Sequence, residues 1–111
     1  MSGITTHVLD TSRGRPAAGV PVVLERAVNS GWQPVGRGTT DADGRARDLL
    51  SSAPEDGRYR LTFDTDTYFR SVGATGFYPE VSVTFVVARG EDHYHVPLLL
   101  SPFGYSTYRG S

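Results

Sequence analysis

Turn-forming residues constrain this chain more strongly than any other feature of its sequence. Its 111 residues include 13 glycines and 7 prolines, spread along the whole length, and such residues disfavour long helices. Between them lie short segments in which apolar and polar side chains alternate, the period of a half-buried β-strand. The clearest segment begins at Arg58 and places Tyr59, Leu61 and Phe63 on one face. The pattern predicts an all-β chain of seven or eight short strands.

The spacing of these segments predicts how they pair. Residues 21–26 and 32–40 flank a short polar turn and are expected to form a hairpin. Residues 81–87 and 93–100 alternate in the same way around a turn at 89–92, which predicts a second hairpin. Several short strands with frequent turns are typical of a two-sheet β-sandwich.

One segment departs from the period of two. Residues 65–73 carry apolar side chains at helical spacing, and Asp66 is expected to cap a short helix there. A chain of this length has room for one hydrophobic core, so residues 1–111 are expected to form a single domain.

Charge and composition exclude several classes of function. The net charge is −1, so no positive field favours a nucleic acid or an anionic membrane as partner. All 11 basic residues are arginine and cysteine is absent, which excludes Schiff-base lysines, thiol nucleophiles and zinc–thiolate sites. The N-terminus has no apolar run of signal-peptide length. We therefore expect a cytoplasmic protein that does not enter a membrane.

The remaining polar chemistry centres on three histidines. His93 and His95 share one face of the last long strand, opposite the apolar Tyr94 and Val96, and His7 lies in the first strand. A single histidine on a polar strand face is usually only solvated. The presence of both His7 and His95 is what favours a functional site. Three histidines with an open water position are also compatible with zinc, which stays an alternative.

Two segments are similar to known functional motifs but lack a residue that each motif requires. The segment from Asp41 to Gly44 is similar to the centre of a calcium loop, but Leu50 stands where a bidentate carboxylate is required. The segment from Gly104 to Tyr108 is similar to a serine-hydrolase nucleophile elbow, but a tyrosine replaces its second glycine. Neither a calcium site nor a serine-hydrolase triad is expected.

Several segments together resemble a known family. They are THVLD at 6–10, GRPA at 14–17, TDADGR at 40–45, HYHVPLLLS at 93–101 and YSTYRGS at 105–111. The sequence resembles the 5-hydroxyisourate hydrolases, the enzyme branch of the transthyretin-like proteins. The terminal Tyr-Arg-Gly-Ser motif is the most specific part of the likeness, since it separates these hydrolases from hormone-carrying transthyretins.

The resemblance implies a fold, an assembly and a reaction. The fold is a transthyretin-type β-sandwich of eight strands with one short helix, assembled as a homotetramer, a dimer of dimers whose central channel holds the active sites. The small-molecule substrate is 5-hydroxyisourate, hydrolysed to 2-oxo-4-hydroxy-4-carboxy-5-ureidoimidazoline in urate degradation without a metal or organic cofactor. The implied catalytic residues are His7, Arg45, His95 and Ser111, and the implied substrate-binding residues are His7, Arg45 and Tyr108.

Two other functions remain open at this level. One is a non-enzymatic transthyretin-like carrier of a small aromatic ligand, and the other is a β-sandwich interaction module without turnover. Within the hydrolase hypothesis, the sequence does not assign the general base to either His7 or His95, and His93 is left a structural or supporting role.

Overall fold

Nine strands and one helix form the part of the chain described by a computed structural model, residues 3–50, 52–88 and 90–111. Within these residues, no helix is long and apolar enough to cross a bilayer. In chain order the elements are β1 (Gly3–Asp10), β2 (Arg15–Pro16), β3 (Pro21–Val28), β4 (Gly31–Thr39), β5 (Arg45–Leu50), β6 (Gly57–Phe63), α1 (Thr65–Ser71), β7 (Val81–Val87), β8 (His93–Ser101) and β9 (Gly104–Thr107).

The strands form two sheets, which confirms the all-β, two-sheet prediction. The first sheet has the order β2-β1-β8-β9, and β5 also pairs with β1. The second has the order β4-β3-β6-β7. Strands β1 and β8 run parallel, and every other pair is antiparallel. The described strands number nine rather than about eight because the two-residue β2 pairs with the end of β1.

The core lies between the sheets, and the period of two decides which side chains enter it. Tyr59, Leu61 and Phe63 of β6 are buried, as the alternation predicts. In β8, Leu98 and Leu100 are also buried. Side chains at odd positions of β8 therefore point to the outward face of the first sheet. His93 and His95 are both on that face.

Of the two predicted hairpins, one is confirmed and one is wrong. Strands β3 and β4 pair antiparallel across a two-residue turn. Strand β7 pairs with β6 in the second sheet, whereas β8 pairs with β1 and β9 in the first. Both β7 and β8 bury one face, so both alternate, and alternation does not indicate which sheet a strand joins. Arg89 of the predicted turn lies outside the described residues.

The predicted helix is present, but its cap is Asp64 rather than Asp66. The Asp64 carboxylate accepts hydrogen bonds from the backbone N–H and the hydroxyl of Thr67. Asp66 is the second residue of the helix, within its first turn, and pairs with Arg70 at 3.0 Å. A change of period locates a helix end only to within a few residues, and the neighbouring aspartates Asp64 and Asp66 are both suitable caps.

A buried hydrogen bond joins this helix to the first sheet. The Tyr68 hydroxyl donates to Oδ2 of Asp10 at 2.6 Å, and both side chains are almost fully buried. Burial alone raises the pKa of a carboxyl group, but the hydrogen bonds from Tyr68, Ser12 and the Arg13 backbone outweigh it and lower the pKa of Asp10. The carboxylate at the end of β1 is therefore kept ionised and fixes α1 against the sheet.

Candidate functional site

The central position of β1 brings together residues from three distant parts of the chain. His7 of β1 lies opposite Arg45 of β5, and Thr5 lies opposite His95 of β8. Residues directly opposite each other on neighbouring strands project to the same face of a sheet. The outward face of the first sheet therefore carries His7, Arg45 and His95 side by side.

A cavity of about 220 Å³ opens on this face. Three of the predicted site residues, Arg45, His95 and the C-terminal Ser111, line it. The other lining residues are Thr5, Thr6, Arg47 and His93. The cavity is thus surrounded by cations, imidazoles and hydroxyls, which suit a polar substrate with several carbonyl oxygens.

The other two predicted residues lie at the margins. His7 is half-buried and borders the cavity through its neighbour Arg45 without being one of its lining residues. Tyr108 is 57% exposed and lines a separate, apolar cavity of about 120 Å³, which also touches His95. The structure therefore brings four of the five predicted residues to one place and leaves Tyr108 on the other side of His95.

A tight turn holds Arg45 in position. Oδ1 of Asp41 accepts hydrogen bonds from the backbone N–H groups of Asp43 and Arg45 at 2.9 and 3.0 Å. Gly44 adopts a φ of 78°, and a Cβ there would lie 2.4 Å from the carbonyl oxygen of Val8. The segment that is similar to a calcium loop is therefore a glycine turn that starts β5 beside β1.

The C-terminal tail reaches the cavity because three contacts hold it. The Gly110 N–H donates to the His95 carbonyl oxygen at 2.8 Å. The Arg109 guanidinium pairs with Glu91 at 3.0 Å and lies 4.8 Å from the centre of the Tyr94 ring. These contacts place Ser111 and its hydroxyl beside His95.

The environment of His95 keeps its imidazole neutral. Burial is the main cause that lowers the pKa of His95 below its usual value of 6.5, and the charges of Arg45, His7 and His93 lower it further. The hydroxyl oxygen of Thr5 lies 2.9 Å from Nδ1 of the ring. A neutral imidazole has one nitrogen that can accept a proton and one N–H that can donate a hydrogen bond, so His95 can act as a general base or bind a substrate oxygen.

Sequence reasoning missed Thr5 and Arg47 and gave His93 only a minor role. Thr5 and Arg47 lie two positions from His7 and Arg45 in their strands, so the period of two places them on the same face. The alternation therefore indicates the shared face within each strand. It does not indicate the register in which β1 pairs with β5 and β8, which brings these residues to one site. The Nδ1 atom of His93 is buried and has no hydrogen-bond partner among the described residues.

The histidines do not form a recognisable metal centre in this structure. Across residues 3–50, 52–88 and 90–111, no group of three or more His, Cys, Asp or Glu side chains is placed to hold a metal ion.

Comparison with known proteins agrees with this site. A sequence model of the HIUase/Transthyretin family matches residues 4–110. The chain belongs to the HIUase/Transthyretin family. It is 48% identical over 109 residues to a 5-hydroxyisourate hydrolase from Salmonella dublin, an alignment that covers 97% of this chain and 80% of that protein.

Solved structures of the family have the same fold. A 5-hydroxyisourate hydrolase from Klebsiella pneumoniae superimposes with a TM-score of 0.87 at 40% identity, covering 100% of both chains. Sea bream transthyretin, solved in complex with thyroxine, superimposes with a TM-score of 0.87 at 34% identity, covering 96% of this chain and 93% of that one. The same fold therefore occurs in a hydrolase and in a thyroxine-binding protein. The residues of the site, and not the fold, distinguish the two functions.

Proposed function

We propose that this protein is a 5-hydroxyisourate hydrolase, which opens the six-membered ring of 5-hydroxyisourate to give 2-oxo-4-hydroxy-4-carboxy-5-ureidoimidazoline in urate degradation. The observation that carries the proposal is the convergence of His7, Arg45, His95 and Ser111 on one sheet face. The name of the Salmonella dublin relative agrees with it.

The reaction needs a base and a proton donor, and two histidines supply them. The oxygen of water bonds to a ring carbonyl carbon, while one of its protons passes to the base. The ring carbon–nitrogen bond then breaks, and the leaving nitrogen takes a proton from the donor. We assign these roles to His7 and His95: a neutral imidazole takes the proton from water, and the imidazolium formed in this way can pass a proton on to the leaving nitrogen.

Arg45 supplies the positive charge that the reaction needs. Attack on a carbonyl builds negative charge on its oxygen, and donors fixed in advance around that oxygen lower the barrier. The Arg45 guanidinium carries a planar set of N–H donors that suits adjacent oxygens of a urate-like ring. In this proposal Ser111 holds substrate or water, and Tyr108 binds substrate from the separate apolar cavity that adjoins His95.

We further propose that the working enzyme is a homotetramer, a dimer of dimers. The cavity of about 220 Å³ is smaller than most small-molecule sites, which typically measure about 300–1,000 Å³. A second copy facing this cavity would enclose it. Exposed aromatic side chains also favour an interface between copies of the chain. Phe77 and Phe103 are 70% and 78% exposed, and Tyr105 is 44% exposed. Light scattering behind a sizing column is expected to give four times the mass of the chain, and a monomer would contradict the assembly.

Two further predictions complete the proposal. Residues 1–111 act as a single domain, and the enzyme resides in the cytoplasm. Cell fractionation tests the location, with the activity expected in the cytoplasmic fraction.

The alternative is a carrier of a small aromatic ligand, favoured by the 34% identity to sea bream transthyretin. A carrier site for an aromatic ring is expected to be mostly apolar. Here the cavity is lined by two arginines and two histidines, and its Thr5, Thr6 and Ser111 carry hydroxyls. Such a lining suits chemistry on a polar ring better than storage of an apolar one.

Turnover separates the two functions. The unstable 5-hydroxyisourate is generated with urate oxidase, and its ultraviolet absorbance is followed with a small fraction of one equivalent of this protein. A hydrolase consumes many equivalents faster than the spontaneous decay. A carrier retains at most one ligand per site and does not accelerate the decay, and that result would overturn the proposal.

A further inference from the structure

Two contacts fix the imidazole of His95 from its opposite edges. On one edge, the hydroxyl oxygen of Thr5 lies 2.9 Å from Nδ1. On the other edge, the backbone of Gly110 packs so closely that an added Cβ would lie 2.5 Å from Cδ2. Nδ1 and Cδ2 are the two ring atoms bonded to Cγ, so holding both of them fixes the rotation of the ring. Nε2, at the far end of the ring, has no hydrogen-bond partner among the described residues and is the nitrogen available to a substrate.

The surroundings of Thr5 indicate which partner donates this hydrogen bond. Thr5 is 95% buried, given its 5% exposure, and the bond to His95 is the single hydrogen bond of its hydroxyl among the described residues. The neighbouring Thr6 hydroxyl is bonded to a different group, since it donates to the Val96 carbonyl oxygen at 2.6 Å.

Leaving a buried hydroxyl hydrogen without an acceptor is costly, whereas an unused oxygen lone pair costs less. If Nδ1 carried the imidazole hydrogen, the Thr5 hydroxyl would accept it, and the hydroxyl hydrogen would have no acceptor among the described residues. If the hydroxyl donates to Nδ1, its hydrogen is satisfied and the imidazole hydrogen sits on Nε2.

We infer that Thr5 is a positioning residue that selects the Nε2–H tautomer of His95, so that His95 presents a hydrogen-bond donor to the substrate and the base is His7. The inference rests on the proposed hydrolase function, and it assigns the two imidazoles that the sequence left interchangeable. A neutral Nε2–H group can stabilise a developing oxyanion by donating a hydrogen bond, and the proton that His7 takes from water is then available for the leaving nitrogen.

Nitrogen NMR of the full-length protein tests the tautomer directly. The histidine side chains are labelled with ¹⁵N, and the His95 signals are assigned by their loss in His95→Asn. Above the pKa of His95, we expect Nε2 to have the chemical shift of a protonated nitrogen and Nδ1 that of an unprotonated one. The reverse pattern, or an even mixture, would overturn the inference whether or not the protein is active.

Paired variants test the consequence for catalysis. Thr5→Val keeps the shape of the side chain and removes the hydrogen bond, and we expect kcat to fall by about 5- to 30-fold, as for one lost hydrogen bond in the site. Thr5→Ser retains the hydroxyl and is expected to stay within about 3-fold of the wild type. Thr62→Val makes the same substitution in β6 of the other sheet and is expected to leave kcat unchanged.

The outcomes separate failure of this inference from failure of the proposed function. A wild-type kcat for Thr5→Val, or an equal loss in Thr5→Ser, would overturn the positioning role. If Thr5→Val does not fold, the wild-type tautomer and the rate of Thr5→Ser decide. A wild-type protein without turnover would refute the hydrolase function, while its NMR spectrum would still report the tautomer.

Discussion

Replacing Gly110 with alanine is expected to impair the site while leaving the fold intact. The added Cβ would lie 2.5 Å from Cδ2 of His95 and 3.2 Å from Cγ of Pro97. Ordinary contacts between such carbon atoms are about 3.5–4.0 Å, so the two segments must separate by about 1 Å. Strand β8 is paired on both sides, whereas the segment that contains Gly110 is attached to β8 by a single isolated bridge. The tail will therefore move rather than the strand.

The size of the effect follows from this displacement. A shift of about 1 Å stretches the hydrogen bond from the Gly110 N–H to the His95 carbonyl oxygen, now 2.8 Å, beyond the normal limit. It also moves Ser111 from the cavity and frees one edge of the His95 ring. A misplacement of about 1 Å in an active site can cost about 10²-fold in rate. One lost hydrogen bond at a chain end costs about 1 kcal/mol of unfolding free energy.

Initial rates and thermal melts measure the two quantities separately. We expect kcat/KM for Gly110→Ala to fall by about 10²-fold, with a melting temperature close to that of the wild type. Gly104→Ala is the matched control, because a Cβ at Gly104 would meet only the Ser101 hydroxyl oxygen at 3.8 Å. Sizing chromatography checks that both variants keep the same assembly. Wild-type kcat/KM for Gly110→Ala would refute the argument that the tail positions His95.

Three other predictions concern stability, charge and metal dependence. Tyr68→Phe removes a hydrogen-bond donor from the buried Asp10 carboxylate and should lower the free energy of unfolding by about 1–3 kcal/mol in denaturant titrations. The control Tyr105→Phe, on the surface, should change this free energy little. Equal stabilities of the two variants would contradict the role of the Tyr68–Asp10 bond. In an NMR titration, His95 should have a pKa below 6.5, because burial and the Arg45 charge disfavour its protonation. Arg45→Gln should raise the pKa of His95. A pKa at or above 6.5 in the wild type would contradict this prediction. Dialysis against a strong chelator should leave kcat/KM unchanged, since imidazole and guanidinium groups carry the proposed chemistry, and a loss restored by zinc would favour the metal alternative.

Local periodicity predicted what depends on local structure. The alternation in β6 predicted its buried face, and the alternation in β8 placed His95 on the outward face of the first sheet. It failed for the β7–β8 hairpin because both strands bury one face but pair in different sheets. The same limit explains why Thr5 was missed, since its contact with His95 joins residues 90 positions apart.

The resemblance to a family supplied what periodicity did not. Arg45 and Ser111 were assigned by likeness, and the structure explains how they reach the site. The glycine turn at Gly44 starts β5 beside β1, and the contacts of Arg109 and Gly110 hold the chain end against β8. Tyr108 was assigned in the same way, yet it lines a different cavity in this structure.

In the proposed function, the imidazoles of His7 and His95 on the outward face of the first sheet carry the hydrolysis of 5-hydroxyisourate. The most direct test measures initial rates of 5-hydroxyisourate loss for the wild type, His7→Asn and His95→Asn under identical conditions. We expect the wild type to exceed the spontaneous rate and each variant to lower kcat/KM by about 10²- to 10⁴-fold, the usual cost of removing a positioned acid or base. A wild type no faster than buffer, or two variants as fast as the wild type, would contradict it.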